Sequence, residues 1–578
     1  MTRPAGTVVR VSGPLVQVEG LDRLSMLEIV AVGPDRISAQ TVAIRGALAT
    51  LQAYEYTGGL KVGDAAEATG SPLTGLLGPG MLGRAFDGLL RPLSSAPLWL
   101  EPDRAASADD PATLAREWSF VPDVTIGAAV TPGQVLGTVP ESGSVEHRVL
   151  VPPGVSGVVT WLAEKGPVRA LDAVARVGAI DIPLAESWPV RAPRPFRDRP
   201  LGTVPLHTGQ RVLDLMYPLA RGASAAVPGG FGTGKTMLLQ QIAKWSDADV
   251  IVYVGCGERG NEMADVLDGL ANLVDERTGG RLIDRTVIIA NTSNMPMMAR
   301  EASIYTGICI AEYYRDMGYD VVLIADSTSR WAEALREFAN RNGDLPAEEG
   351  YPADLASALA AFYERAGRVT TLGGKIASVT VIGAVSPPGG DMTEPVTTDT
   401  QRFIRSLWLL DRDLAYSRHY PAVSWTGSFA RDEEALGLWH AANGDPDWAQ
   451  RRARAAALLA EADRLSDLAE IIGTNSLPAH ERMVLLGGRL LRDGVLMQNA
   501  LSANDGFCSA EKGAALLDLV LHVVDVCQQL VKRGIPATVI EQSDLRPVLR
   551  AREDTGPADA AAVGSLRADI VRRLEELS

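Results

Sequence analysis

The chain has 578 residues, too long for one compact core, so it is expected to hold roughly three or four domains. Its 55 Lys+Arg against 71 Asp+Glu give a formal net charge of −16, which counts against a duplex-DNA binder, and 46% hydrophobic beside 22% charged residues excludes wholesale disorder. Four cysteines without C-x-x-C spacing and six histidines without an H-E-x-x-H pattern argue against a disulfide scaffold and a structural zinc site.

The opening M-T-R-P-A-G-T-V-V-R-V lacks the apolar core of a secretion signal, so the chain reads as intracellular. Residues 1–72 favour strands: Thr7–Val11 and Leu15–Val18 flank the turn Ser12-Gly13-Pro14, and Leu27–Val32 and Thr41–Ile44 continue the rhythm of a small β-barrel. Residues 73–112 form a connecting segment. Its Gly/Pro-dense passage from Gly70 to Leu93 resists helix and strand alike, and residues 100–117 read as a tether. A second β-rich block spans 113–188 and ends in a Pro/Arg-rich stretch, Trp188 to Pro195, that reads as a linker.

From 189 to 430 strands and helices alternate. Strands are expected at Ala223–Val227, Asp249–Val254, Thr286–Ala290, Asp320–Ala325 and Ala377–Ala384, with a helix over Met237–Trp245, which predicts a mostly parallel sheet covered on both faces. Residues 431–578 carry apolar residues at helical spacing. Ala514–Val531, the most apolar stretch, still holds Asp518, His522 and Asp525, so no membrane span is expected, and Arg567–Glu576 reads as a solvated helix face.

The strongest local pattern is Gly229-Gly230-Phe231-Gly232-Thr233-Gly234-Lys235-Thr236, a full match to G-x-x-x-x-G-K-[ST] between a strand and a helix. Such a loop turns backbone N–H groups onto phosphate oxygens, places Lys235 on the β/γ-phosphates and offers the Thr236 hydroxyl to Mg²⁺. Val321 to Ala325 then delivers Asp326 at a strand's carboxyl end, where it can hold the metal's water shell. Between them, Gly255-Cys256-Gly257-Glu258-Arg259-Gly260-Asn261-Glu262 follows another strand. Glu258 suits polarisation of an attacking water, Arg259 suits phosphate, and Glu262 lies one helical turn on; an exposed Glu258–Arg259 pair of no consequence is the alternative. Cys256 reads as a small buried residue.

These motifs resemble the catalytic A subunit of vacuolar/archaeal-type rotary ATPases over almost the whole chain. Leu77 to Gly83, Phe86 to Leu93, His147 to Gly154, Thr208 to Asp214, Tyr253 to Met263, Asn291 to Gly307, Asp326 to Glu337, Pro346 to Pro352 and Val385 to Pro395 all take part. The resemblance implies a multidomain α/β fold: an N-terminal β-barrel, a β-rich inserted bulge module, a central RecA-like P-loop domain and a C-terminal helical domain. It also implies ATP or ADP with Mg²⁺ as ligands. Lys235, Glu258 and Arg259 are then catalytic, residues Gly229 to Met237 bind nucleotide, and Thr236, Glu262 and Asp326 serve the metal. Tyr420 packs beside adenine, with Phe507 as a second adenine wall. Implied partners are a non-catalytic B subunit that alternates with this chain in a six-membered ring, central- and peripheral-stalk subunits and, indirectly, an ion-translocating membrane sector, with no nucleic acid. The complex would sit on the cytoplasmic face of a membrane.

Gly230 stands where that family usually has Pro or Ala, Thr233 where eukaryotic members carry Cys, and Tyr420 where Phe is usual. None touches the Lys235, Glu258 and Asp326 set. The presence of both Lys235 and Glu258 disfavours a non-catalytic ring component. A homohexameric motor, either a secretion-system ATPase or a nucleic-acid translocase, is the other alternative; the acidic charge and the module at 113–188 count against it.

Overall fold

A computed structural model describes residues 5–93, 114–143, 145–275, 278–343 and 345–577. Of the tether expected at 100–117, residues 100–113 lie outside the described residues. The chain divides into two compact units, one of residues 1–200, 248–385 and 394–403, the other of 201–247, 386–393 and 404–578.

The first unit begins with six strands, β1 (Ala5–Ser12), β2 (Leu15–Glu19), β3 (Glu28–Val32), β4 (Ile37–Arg45), β5 (Leu48–Ala53) and β6 (Ala65–Pro72), closed as a barrel in the order β1-β2-β5-β4-β3-β6. Alternation drives closure: Val16 and Val18, Val30 and Val32 point inward at period two and meet Val8, Ile37 and Leu51 in one apolar interior.

The Gly/Pro-dense passage is more ordered than its composition predicts. Thr74–Leu77 pairs with Glu186–Pro189, and Ala85–Phe86 runs parallel to Ile288–Ile289. What organises it is Asp87, fully buried. One carboxylate oxygen accepts the backbone N–H groups of Leu89 and Arg91, each at 2.9 Å, and the other takes Arg91 Nε at 2.5 Å. Arg91 extends the pairing to Glu55 at 2.8 Å, beyond the end of β5. Glycine at 88 is obligatory, because a Cβ there would lie 1.9 Å from the Ala299 carbonyl oxygen.

The inserted block folds as two four-stranded sheets around Trp118, Phe120, Leu136, Val139, Val159 and Val177. Glu141 fastens it to the rest of the unit. Its Oε1 accepts backbone N–H groups of Gly80, Met81 and Leu82 at 2.8, 3.1 and 3.3 Å and the Tyr314 hydroxyl at 2.8 Å. The Pro/Arg-rich stretch read as a linker is likewise built in. Arg191 pairs with Glu301, and Arg194, its side chain 3% exposed, bridges Glu186 and Asp316. Proline and arginine density resembles a linker only while the acidic partners, distant in sequence, are unseen.

Val250–Cys256 lies between Thr286–Asn291 and Asp320–Asp326, and the latter pairs with Ile376–Val385, all parallel and nearly all buried. Helices Gly260–Asn272, Met297–Asp316 and Thr328–Asn342 follow successive strands, so their carboxyl ends share one edge, where ligands of such sheets bind.

In the second unit, Ser224–Pro228 pairs parallel with Ser406–Leu407, which pairs with Phe429–Ala430. Long helices follow at Trp448–Ile472, Ala479–Leu491, Ala510–Lys532 and Ala560–Glu575. Ala510–Lys532 is long and apolar enough by length and composition to cross a membrane, yet 56% of its apolar window is buried within the chain. Ala560–Glu575 buries Val563, Ile570 and Leu574 and leaves Asp569 and Arg572 as an exposed pair.

Asp214 orders the turn before the phosphate-loop strand, accepting Thr208 N–H at 2.9 Å, its hydroxyl at 2.7 Å and Gly209 N–H at 2.9 Å. His207 Nδ1 lies 2.9 Å from the same carboxylate. Burial alone would depress the imidazole; Asp214, with Asp247 and the Cys508 carbonyl, outweighs it and lifts the pKa from 6.5 to about 9. The protonated pair therefore contributes its full stability below pH 6.5 and loses it as pH rises through about 9. Thermal melts of the wild type and His207→Gln are expected to differ most near pH ~6 and to converge above pH ~9.5. A gap independent of pH would remove the charge from this account.

Candidate functional site

Two groups of predicted residues are placed, one in each unit. In the second, buried strand Ser224–Pro228 leads into the phosphate loop, and helix Lys235–Trp245 leaves it. Gly232 and Gly234 hold φ of 79° and 85°, left-handed values that bend the chain back on itself before the helix. Gly229 has no room for a side chain, since a Cβ would meet Thr233 Oγ1 at 2.7 Å and Leu410 Cβ at 2.8 Å. Gly230 is roomier, with Arg412 3.6 Å from such a Cβ. The Thr233 hydroxyl, buried, donates to the Gly230 carbonyl at 2.9 Å and so braces the loop. Lys235 Nζ donates to the Gly229 carbonyl at 3.0 Å and to the Ser386 hydroxyl, which places the ammonium over the loop. Phe231 at the tip is 97% exposed, and Thr236 and Met237 are exposed on the first helical turn. Loops of this build at a helix N-terminus are suited to cradling anions.

Beside it opens a cleft of about 440 Å³ lined by Thr233, Gly234, Met237, Tyr420, Gln498 and Arg552 among others. The Tyr420 ring edge lies 3.1 Å from where a Gly234 side chain would begin, so the aromatic sits directly against the loop. Phe507 is not among the lining residues. It packs on Trp245, ring centroids 5.2 Å apart, and edge-on to His207 at 5.9 Å. One side of Phe507 is thus taken by Trp245, the last residue of helix Lys235–Trp245.

In the first unit, Gly257 (φ 73°) ends strand Val250–Cys256 against Arg300 and Arg330, and Glu258 follows, half-buried. Arg259 is exposed at the N-cap of helix Gly260–Asn272, and Glu262 lies in its first turn, where a carboxylate suits the helix dipole. Asp326 ends the neighbouring strand opposite Gly255, 5% exposed, and accepts the Tyr253 hydroxyl at 3.0 Å. Burial first, then the charges of Asp326 and Glu262, push the Glu258 carboxyl up to about 8, with Arg330 opposing. Glu258 therefore belongs to a carboxylate group and is not one half of a surface ion pair with Arg259. Cys256 is fully buried, and burial raises its thiol to about 12, which makes it inert.

Three neighbours escaped sequence reasoning: Ser386 on the lysine, Tyr253 on Asp326 and Arg330 against Glu258. All three fall inside stretches that carry the family resemblance, but nothing in their residue type announces a role. Among the described residues, no cluster of three or more His, Cys, Asp or Glu forms a ready cation cage. The donors on offer are hard oxygens, which fits Mg²⁺ held mainly through water and phosphate.

Comparison with known proteins places this arrangement in a class. Four domain families match along the chain: ATP synthase alpha/beta beta-barrel domain at residues 8–70, alpha/beta barrel-sandwich domain at 110–191, alpha/beta nucleotide-binding domain at 209–430, and C-terminal domain of V and A type ATP synthase at 438–539. The V-type ATP synthase alpha chain of Nitrosococcus oceani is 48% identical over 99% of this chain and 97% of its own length. Similar values hold for that of an Anaeromyxobacter species, 48% over 99% of both chains, and for the A subunit of the A-type ATP synthase of Hyperthermus butylicus, 44% over 99% and 97%. The chain belongs to the ATP synthase alpha/beta family and, within it, to the V/A-type A (alpha) subunits. Its chemistry is accordingly ATP synthesis or hydrolysis coupled to ion translocation, within a membrane-associated complex; a self-sufficient secretion motor is not favoured.

Proposed function

We propose that Lys235 and the backbone of 229–236 bind the β/γ-phosphates of ATP, that Tyr420 stacks on the base, and that Glu258 orients and deprotonates the attacking water. The observation that carries this is the phosphate loop itself: two left-handed glycines, a braced threonine and a lysine poised over the turn at a helix N-terminus. Thr236, Glu262 and Asp326 would hold Mg²⁺, directly or through water. When bound, the cation neutralises charge on the phosphate oxygens. Arg259, exposed beside Glu258, contacts the transferred phosphoryl group, and Tyr253 keeps Asp326 turned toward its task. In synthesis the same groups act in reverse.

The remaining arginine comes from a neighbouring B-type subunit in an alternating six-membered ring. Stalk subunits link that ring to an ion-translocating sector on the cytoplasmic face of a membrane.

Lys235→Ala tests the phosphate assignment. Loss of a charge-assisted contact of about 1.5–3 kcal/mol is expected to weaken ATP binding about 10- to 100-fold, read by calorimetric titration of the full chain. Unchanged affinity would sink the assignment.

A further inference from the structure

The base cleft rests on a charged support that neither phosphate chemistry nor the stacking tyrosine explains. Asp505, 0% exposed, lies 2.6 Å from Arg211 Nη1 and pairs through its other oxygen with Arg552 Nη1. That second oxygen also accepts the backbone N–H of Asn499 at 2.7 Å. Both arginines also reach backbone carbonyls. Arg211 donates to the Val495 and Met497 carbonyls, both at 2.7 Å, and Arg552 Nε donates to the Asp493 carbonyl at 3.2 Å. Segment 493–499 is thus pinned from both sides by one buried carboxylate and two guanidinium groups.

Tyr420 hangs from that segment. Gln498 donates its backbone N–H to the Tyr420 carbonyl at 2.8 Å, while its side chain accepts Arg211 N–H at 2.8 Å and donates to the Gly209 carbonyl at 2.9 Å. Apolar packing would hold such a loop at less desolvation cost; buried guanidinium forks add direction, because each donor fits one acceptor geometry. Arg552 and Gln498 also line the cleft.

We infer that Asp505, with Arg211 and Arg552, is a positioning residue for nucleobase recognition, setting the cleft wall and the Tyr420 ring against the base. The inference rests on the cleft's taking the base, as proposed above, and concerns grip on the base rather than on the phosphates.

The test measures affinities of the full chain for ATP and for inorganic tripolyphosphate, which has the phosphates but no base. Wild type, Tyr420→Ala, Asp505→Asn and Arg552→Lys are compared. Asp505→Asn and Arg552→Lys are expected to weaken ATP about 3- to 10-fold, the share an aromatic stack carries, and to leave tripolyphosphate where it is. Parallel loss of both ligands would reduce the set to general structural support and overturn the inference. So would wild-type ATP affinity in Asp505→Asn and Arg552→Lys while Tyr420→Ala binds ATP poorly. Undiminished ATP affinity in Tyr420→Ala would fail the base reading itself, and the inference with it. Should Asp505→Asn not fold, Arg552→Lys, which keeps the charge but loses the fork, decides alone.

Discussion

Replacing Glu258 by Gln is expected to leave ATP binding near wild type and to lower turnover of the assembled complex by about 10²–10⁴-fold. The substitution keeps size and hydrogen-bonding reach but removes the basic oxygen. Burial and the charges of Asp326 and Glu262 raise the Glu258 carboxyl to about 8, so it holds a proton far more readily than an ordinary glutamate. In the proposed role, such a group would take a proton from water late in the displacement and return it on reversal. The assay mixes the chain with its candidate B-type partner and records native mass in parallel. With the stabilising arginine supplied in trans, as proposed above, activity is expected only with the alternating six-membered assembly. Near-normal hydrolysis by Glu258→Gln would sink the role given to Glu258. Full activity of the lone wild-type chain would point instead to a motor with its own arginine finger.

The second large effect concerns folding. Asp87→Ala is expected to cost about 3–5 kcal/mol, measured by chemical denaturation, because it takes one of two buried carboxylate partners from the Arg91 guanidinium and leaves Glu55. It also removes the acceptor for two backbone N–H groups that close the Phe86–Leu93 turn. Leu90 sits there at a left-handed φ of 62°, a conformation the Asp87 contacts help hold. A loss below ~1 kcal/mol would show that the turn is set by its surroundings and not by Asp87.

What the residues disclosed in advance follows from how local each signal is. Parallel strands such as Asp320–Asp326 are continuous apolar runs, and the phosphate loop is eight consecutive residues, so both are legible one after another along the chain. The Gly70–Leu93 passage misled because its order comes from partners far away in sequence, Glu186–Pro189, Ile288–Ile289 and Glu55. Trp188 to Pro195 misled for the same reason, its arginines answering to Glu301 and Asp316. In the site, Glu258 and Asp326 stood out as carboxylates at strand ends, whereas the tuning of Glu258 needs Glu262 and Arg330 around it in space. Phe507 shows the limit of residue type: its contact with Trp245, more than 250 positions away in sequence, is visible only in the fold.

Glu141's hold on Gly80–Leu82 and Tyr314 makes the inserted module a handle for measurement. An attachment on its far turns moves as one body with the strand-and-helix core that carries Glu258. The turn at Gly178-Ala179 is exposed and crowded by nothing, while all four native cysteines are buried. Ala179→Cys would therefore offer one accessible thiol, and a dye or bead fixed there would read out the attitude of Glu258 and Asp326 from outside the protein.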